Sequence, residues 1–253
     1  MKISVVTAVY NRADTVRAAI ESVQAQSYSN IEHVIQDGGS KDGTLDVVHS
    51  ASNAQTVVFS ERDNGIYDAI NRGIANTSGD VIGLMHSDDM FAGPDVLAKV
   101  AAAFQDSSMD GVYGDLQYVA SDDPSRIIRH WRSKGYSPAK LKQGWMPPHP
   151  TLYLRRHVFD ANGLYDTKLQ IAADYDAMLR YLVHGKISLA YIPEVLVKMR
   201  VGGESNRSLE RILQKSREDL TAIRRNGVGG IDVLVQKNLR KVGQFFVKDR
   251  TGQ

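Results

Sequence analysis

Two adjacent carboxylates stand just beyond an apolar run in the first half of the chain. The run Val81–Met85 is followed after two residues by Asp88 and Asp89. A short apolar run of this kind indicates a buried strand of a parallel sheet, and ligands of such sheets bind beyond the carboxyl ends of the strands. Two neighbouring carboxylates repel each other unless a cation lies beside them. The pair therefore predicts a metal site or, as the simpler alternative, a solvated turn before the helix that Pro94 opens.

Three further acidic residues stand at or near predicted strand ends or helix starts: Asp37, Asp63 and Asp174. A nucleotide diphosphate site can use such carboxylates in two ways. One accepts hydrogen bonds from the base or the ribose, while another holds a divalent cation that neutralises the pyrophosphate. The phosphate-binding loop of nucleotide hydrolases and the dinucleotide-binding fingerprint are both absent from the sequence.

Three β-turn-α units fill about the first 75 residues and must position the acidic residues that lie in that part of the chain. The predicted strands Ile3–Val9, Ile31–Gln36 and Val57–Ser60 each precede a run of apolar residues at helical spacing. This alternation predicts a right-handed, mostly parallel, doubly wound sheet. Two later strands, Gly111–Val119 and Arg126–Trp131, have a more antiparallel character. Two short strands are predicted at Ile187–Ile192 and Glu194–Val201.

The composition is that of an ordinary globular protein, with 42% hydrophobic and 24% charged residues among 253. We expect one α/β domain over residues 1–203 and an appendage over 204–253. The appendage carries 11 Lys and Arg against 6 Asp and Glu, a balance of +5, which leaves −3 for the rest. The absence of cysteine excludes disulfides and thiolate metal sites. No run suits a signal peptide or a bilayer span, so we expect a cytoplasmic protein.

Four segments resemble, in order and spacing, the motifs of family 2 glycosyltransferases, which are inverting sugar-nucleotide enzymes of the GT-A fold. The segments are Thr7–Arg12, Asp37–Thr44, Asn71–Ile74 and Ser87–Asp89. The resemblance covers about residues 1–200. Two later segments, 148–151 and 171–176, are similar to the bacterial subgroup that assembles O-antigen and exopolysaccharide repeat units.

The resemblance implies a role for each matching residue. Residues 1–110 would bind the nucleotide sugar, and residues 111–203 would bind the acceptor and supply the base. Asp89 would ligate Mn²⁺ or Mg²⁺, and Asp174 would be the catalytic base. The remaining matching residues would bind the nucleotide sugar: Thr7 and Tyr10 beside the base, Asp37 at the base edge, Asn71, and Asp88 at the ribose or a metal-bound water.

Four positions leave alternatives open. Asp63 is either a base contact or a helix cap, and Arg200 either clamps the diphosphate or forms a surface salt bridge. Trp145 lies in a proline-rich loop that is either a buried anchor or a substrate contact. His149 in the same loop either contacts the acceptor or the donor phosphate, or is a structural hydrogen-bond partner. His86 stands where many relatives carry an acidic residue, which leaves fewer candidate metal ligands.

These features predict an inverting, metal-dependent transferase of a hexose, from a UDP-linked donor to a sugar on a polyprenyl diphosphate carrier. The chemistry needs one base for the acceptor hydroxyl and one cation for the leaving diphosphate. Two rivals remain. A nucleotidyltransferase would need a Gly-rich, basic first loop, which the segment Tyr10–Ala13 does not provide. A non-catalytic carbohydrate-binding relative would lack the base.

The C-terminal appendage predicts basic amphipathic helices, broken at Gly227–Gly230. We expect them either to dock on an anionic membrane surface or to pack on the catalytic domain. A nucleic-acid partner is not expected, because the basic residues alternate with acidic ones and lack interleaved aromatic residues. The apolar residues form two stripes: Leu209, Ile212, Leu213, Leu220 and Ile223, then Ile231, Leu234, Val235, Val242, Phe245 and Phe246. Around the stripes lie basic residues that would contact the membrane or, if the helices pack on the domain, form a solvated face: Arg207, Arg211, Lys215, Arg217, Arg224, Arg225, Lys237, Arg240, Lys241 and Lys248.

Overall fold

A single mixed sheet runs through the molecule, with helices on both faces. The computed structural model describes residues 1–201 and 209–243. The first strands and helices alternate as the sequence predicts: β1 Ile3–Val9, α1 Val16–Gln24, β2 Ile31–Asp37, α2 Thr44–Ala51, β3 Thr56–Ser60, α3 Ile66–Ala75 and β4 Val81–Leu84. The later elements in the described part of the chain are β5 Met90–Phe91, α4 Val96–Ala103, β6 Gly111–Val119, β7 Ile127–Trp131, α5 Pro138–Leu141, β8 Tyr153–Arg155, α6 Arg156–Asn162, α7 Ala173–Val183, β9 Leu189–Arg200, α8 Leu209–Arg225 and α9 Ile231–Gly243.

The strand order is β3-β2-β1-β4-β8-β6-β9-β5, with β7 paired to β6. The first half of the sheet is parallel, because β1 pairs in parallel with both β2 and β4, and β2 with β3. The short strand β8 joins this half to the second by antiparallel pairing with β4 and β6. The predicted doubly wound, mostly parallel sheet with an antiparallel portion is therefore confirmed.

Both faces of the sheet are covered, which explains why its strands read as continuous apolar runs. Along β1, Ile3 and Val5 pack on the face that carries α1 and α4, while Val6 packs on the face of α3 and α7. The strands β4 and β8 also approach each other closely. A Cβ atom at Gly83 would overlap the ring of Tyr153 on β8, so only glycine permits this approach.

The two short strands predicted over residues 187–201 are one strand, β9. The break that the sequence suggested at Pro193 is a bulge, since Tyr113 of β6 pairs with Tyr191 and Asp115 pairs with Val195. Proline cannot donate a ladder hydrogen bond and is tolerated at such bulges. Strand β8 and helices α5 and α6 are short, and the sequence analysis did not predict them.

A buried carboxylate ties the start of the sheet together. Glu32 on β2 accepts hydrogen bonds from the Ser4 hydroxyl (2.6 Å), the Ser78 backbone N–H (2.7 Å) and the Lys2 ammonium (2.9 Å). Burial alone would raise the pKa of Glu32, but these donors together lower it to about 2. A carboxylate with a lowered pKa stabilises the fold above its unfolded pKa, and this contribution is lost as the pH falls towards the folded value.

We expect Glu32→Gln to lower the free energy of unfolding at pH 7 by about 3 kcal/mol, the order of magnitude given by the lowered pKa. The effect should shrink as the pH falls from about 4.5 to about 2, because the wild-type carboxylate becomes protonated over that range. Urea unfolding of both proteins at pH 7 and pH 3 measures it, with Glu21→Gln on an exposed face of α1 as the control. An equal difference at both pH values would contradict the assignment.

Candidate active site

The Asp88-Asp89 pair lies directly beyond β4, at the edge of the sheet where the parallel strands end. The Asp89 side chain is buried, with 1% of its surface exposed. Its Oδ1 accepts a hydrogen bond from the Arg200 backbone N–H (3.2 Å), whereas its Oδ2 is buried without a partner among the described residues. Burial and the charge of Asp88 raise the pKa of Asp89 well above its usual value. The backbone hydrogen bond and the charge of Arg200 offset this effect only in part.

Arg200, at the end of β9, lies beside the pair. Its guanidinium Nη1 donates to the backbone oxygen of Asp88 (3.3 Å), and its Nε is buried without a hydrogen-bond partner among the described residues. The side chain is therefore attached to the carboxylate tip through the backbone of Asp88. This position leaves guanidinium N–H groups available to an anion at the tip.

Asp174 lies in the first turn of α7, where the helix dipole favours a carboxylate. Its Oδ2 lies 3.1 Å from Nδ1 of His149, and its Oδ1 lies 3.2 Å from the hydroxyl of Tyr67. Burial alone would raise the pKa of Asp174, but His149, Lys215 and Lys237 hold it well below its usual range. Asp174 is therefore ionised at neutral pH and is able to accept a proton.

The two carboxylate groups belong to one site. The Tyr118 ring on β6 lies within electrostatic range of both Asp89 and Asp174. The charges of Asp88 and Asp174 both act on the ionisation of His86, which lies three residues before Asp89. Thus β4, β6 and α7 bring together acids that are more than 80 positions apart in the sequence.

The segments 10–13 and 37–44 form one wall beside the strand ends. Tyr10 is 55% exposed, and Asn11, with φ of 50°, donates its backbone N–H to the Ser40 hydroxyl (2.8 Å). Asp37 is fully buried and accepts hydrogen bonds from its own turn, at the Gly39 and Ser40 backbone N–H groups. The carboxylate of Asp37 therefore holds the turn that faces Tyr10.

Asp63 lies against this turn. A Cβ atom at Gly38 would collide with the carboxylate of Asp63, which shows how closely that carboxylate approaches the turn. Asp63 also accepts a hydrogen bond from the Gly65 backbone N–H (2.8 Å) at the start of α3. Asp63 therefore stabilises the turn before α3 and lies next to the Asp37 segment, and its contact with the base stays a prediction.

Other predicted site residues have contacts within the fold. Thr7 is fully buried, with its hydroxyl 2.9 Å from Nε2 of His33. Asn71 uses both ends of its amide on the backbone of Tyr165. Trp145 is 5% exposed and donates its indole N–H to the carbonyl of Ser133 (2.8 Å), which favours the anchor over the acceptor contact.

The C-terminal helices support the base, a role that the sequence analysis did not predict. Glu218 on α8 accepts hydrogen bonds from the backbone N–H groups of Gln170, Ile171 and Ala172, immediately before α7. Lys237 on α9 forms a buried ion pair with Asp219 (2.5 Å), and its ammonium lies 3.4 Å from the centre of the Tyr175 ring. The periodicity of the sequence does not predict such contacts, because they join residues that are far apart in the chain.

The fold and the carboxylates at the strand ends define a class of protein, the GT-A glycosyltransferases. The structure of Staphylococcus aureus TarS residues 1–349 superposes with a TM-score of 0.68 at 16% identity, covering 96% of this chain and 72% of that one. The mannosyltransferase PcManGT from Pyrobaculum calidifontis, in complex with GDP-Man and Mn²⁺, gives 0.67 at 15% identity, covering 94% and 68%.

Sequence comparison identifies the family. The profile described as Glycosyl transferase family 2 matches residues 4–163, and the chain belongs to this family. An uncharacterised glycosyltransferase of Mycobacterium tuberculosis is 34% identical over 183 residues, covering 70% of this chain and 68% of that protein. A PGL/p-HBAD biosynthesis glycosyltransferase of Mycobacterium bovis is 26% identical and covers 96% and 93%. The narrower O-antigen and exopolysaccharide subgroup stays a prediction.

Proposed function

We propose that this chain is an inverting glycosyltransferase that transfers a hexose from a UDP-linked donor to a sugar acceptor on a polyprenyl diphosphate carrier. The observation that carries the proposal is the pairing of two unlike carboxylates around one site. Asp89 is buried with one oxygen unpartnered among the described residues and a raised pKa, while Asp174 is ionised and therefore able to accept a proton. Solved relatives of the same fold were crystallised with UDP-GlcNAc or with GDP-Man and Mn²⁺.

The residues at the Asp89 tip fit a divalent cation. The unpartnered Oδ2 of Asp89 is the free ligand atom, with Asp88 beside it. Within the described residues, no group of three or more His, Cys, Asp or Glu side chains is arranged to hold a metal. This suits Mg²⁺ or Mn²⁺, which take one or two protein carboxylates together with phosphate oxygens. A cation there supplies the positive charge that the leaving diphosphate requires.

We assign the remaining contacts to the donor from the exposure and position of the side chains. Tyr10 presents its ring to solvent next to the Asp37 turn, so we assign the nucleobase to this wall. The sequence placed Asp37 at the base edge, but its carboxylate is fully buried and binds its own turn, so we assign the base edge to the half-exposed Asp63 beside it. Arg200 is assigned to the diphosphate, because it lies at the carboxylate tip and guanidinium groups match phosphate geometry.

Asp174 is assigned as the base that takes the proton of the acceptor hydroxyl. In a single in-line displacement at the anomeric carbon, the acceptor oxygen bonds to that carbon, the bond to the diphosphate breaks, and the hydroxyl proton passes to Asp174. The acceptor would approach from the side of α7 and the loop at His149. Residues 111–203 would thus form the acceptor half, and residues 1–110 the donor half.

The first test concerns Asp89. We expect Asp89→Asn to abolish Mn²⁺-dependent UDP binding, because the neutral amide cannot offset the cation's charge. Without metal, the variant should be at least as stable as the wild type at pH 7, because it removes a buried charge. Titration calorimetry with UDP and Mn²⁺ and thermal unfolding measure the two effects, with the exposed Asp160→Asn as the control. Unchanged UDP affinity in Mn²⁺ would refute the metal assignment.

The second test concerns Asp174. A panel of UDP-, GDP- and dTDP-sugars with Mn²⁺, assayed for transfer and slow hydrolysis, first identifies the donor. We then expect Asp174→Asn to bind that donor normally and to lose turnover by about 10²-fold or more, the usual contribution of a general base. Asp160→Asn again controls for the loss of one carboxylate. Turnover by Asp174→Asn at the wild-type rate would remove Asp174 as the base.

We also propose that the outer face of the C-terminal helices docks on an anionic membrane. No helix in the described ranges is long and apolar enough to cross a bilayer. On α9, three exposed apolar residues lie one turn apart: Ile231 at 60%, Val235 at 49% and Leu239 at 63%. Exposed Arg217 and Arg224 on α8 add positive charge. An apolar face flanked by basic residues suits an anionic lipid surface.

The structure corrects part of the predicted membrane face. Three of its basic residues bind within the fold: Lys237 pairs with Asp219, Arg225 with Asp166, and Arg240 with the loop residue Gln143. Ile223 and Val233 are buried against the catalytic part, so the inner faces of both helices pack as the alternative predicted. The side chains of some predicted residues lie outside the described residues: Arg207, Leu209, Lys241, Val242, Phe245, Phe246 and Lys248.

We expect Ile231→Ser, Val235→Ser and Leu239→Ser together to reduce co-sedimentation with phosphatidylglycerol vesicles at low salt. Added salt should weaken wild-type binding, because it screens the electrostatic part. Ile127→Ser with Ile128→Ser, two residues equally apolar and 44% exposed on β7, is the matched control. A truncation at Asn226 is a poorer test, because it leaves buried Asp219 without Lys237. Equal pelleting of the triple variant and the wild type would contradict the proposal.

A further inference from the structure

A continuous chain of polar contacts connects the end of β4 with the base. Nε2 of His86 lies 2.7 Å from Nε2 of His149, and Nδ1 of His149 lies 3.1 Å from Oδ2 of Asp174. The two imidazole rings meet edge to face, with centroids 4.9 Å apart. The three side chains come from three separate elements: the end of β4, the 3-10 turn His149–Thr151 and the start of α7.

The backbone around His149 fixes its ring in this position. Pro148 and Pro150 flank it, and proline fixes φ on both sides. The Thr151 hydroxyl is fully buried, and lies 2.8 Å from the carbonyl of Pro148 and 3.1 Å from that of Gly114. The turn is thereby bound to β6. With Nε2 at His86 and Nδ1 at Asp174, neither ring nitrogen of His149 is left over for the acceptor sugar.

The pattern of contacts assigns the protons. Asp174 is ionised, so the proton between it and His149 belongs on Nδ1 of His149. Burial, together with the nearby His149, lowers the pKa of His86 to about 4, so His86 is neutral at pH 7. The contact between the two Nε2 atoms needs one hydrogen, and we assign it to His86, so that Nε2 of His149 accepts. The single proton of Tyr67 is shared between the Ile171 carbonyl (2.7 Å) and Oδ1 of Asp174 (3.2 Å).

We propose that His149 is a positioning residue for Asp174, and that His86 fixes the tautomer and orientation of His149. The inference rests on the proposed function, in which Asp174 is the base. It replaces the predicted contact of His149 with the acceptor by a contact with the base. It also links the strand end that carries Asp88 and Asp89 to the start of α7, so that the donor half and the base keep a fixed separation. Small displacements of a reacting group cost large factors in rate.

Two substitutions at His149 separate positioning from packing. An asparagine amide nitrogen takes the place of Nδ1, so His149→Asn keeps a donor to Asp174, whereas His149→Ala removes it. We expect His149→Ala to lower kcat roughly 10- to 100-fold with the KM of both substrates little changed. His149→Asn should recover most of that loss. Equal losses in both variants, or a raised acceptor KM at unchanged kcat, would overturn the proposal.

A matched pair at His86 tests the second link. A glutamine amide nitrogen takes the place of Nε2, so His86→Gln keeps the donor to His149, and His86→Ala removes it. We expect a lower kcat for His86→Ala and near wild-type kcat for His86→Gln. Equal activity of His86→Ala and the wild type would overturn the role of His86.

A spectroscopic readout does not depend on turnover and separates this inference from the proposed function. ¹H–¹⁵N correlation spectra of the histidine rings should show His149 as the Nδ1–H tautomer, with its Nδ1 proton shifted downfield in the wild type and not in Asp174→Asn. This result is expected even if no sugar nucleotide in the panel is turned over, in which case the proposed function alone fails. An Nε2–H tautomer of His149 at pH 7 would contradict the inference directly.

Discussion

The burial of one unpaired carboxylate oxygen constrains the whole site. Within the described residues, Asp89 is held at the carboxyl end of β4 with only one of its oxygens hydrogen-bonded, and burial and the neighbouring Asp88 make its ionisation costly beyond what the charge of Arg200 offsets. A buried charge without a partner is strongly unfavourable, so such a group is either protonated or paired with a cation. This energetically unfavourable carboxylate lies where the parallel strands end, at the edge where ligands of α/β sheets bind.

The second half of the chain places Asp174, the proposed base, at the same site. Strand β8 closes the sheet between β4 and β6, and the turn that precedes it carries His149 to Asp174. Helix α8 then holds the backbone before α7 through Glu218, and Lys237 of α9 compensates buried Asp219. The C-terminal helices therefore hold the start of α7, which carries Asp174, and α9 also carries the exposed apolar face.

The sequence was sufficient to predict the elements of the first half of the fold and the acidic residues at the strand ends. Regular alternation of apolar runs and helical spacing predicts β1 to β4 and their helices, because each element buries a face of its own. The order and spacing of four segments predicted the family by resemblance, above all the turn at Asp37 together with the Asp88-Asp89 pair. His86 carried a signal that could have been used, since it lies three residues before Asp89 at the same strand end.

The contacts that orient the base could not be predicted in this way. The hydrogen bond from His86 to His149 spans 63 residues, and Glu218 reaches back 47 residues to Ile171. Such contacts depend on how the helices pack, which single-sequence periodicity does not encode. Lys237 was assigned to a solvated face because lysine is rarely buried, yet it lies inside with Asp219. A buried ion pair leaves no trace in a hydrophobic pattern.

The central claim is that the free oxygen of Asp89 is completed by a divalent cation that also contacts the donor diphosphate. Anomalous diffraction at the manganese edge, from crystals grown with UDP and Mn²⁺, tests this directly. The account predicts one manganese peak about 2 Å from the Asp89 carboxylate, in contact with the diphosphate. A diphosphate bound with no manganese within reach of Asp89 would contradict it.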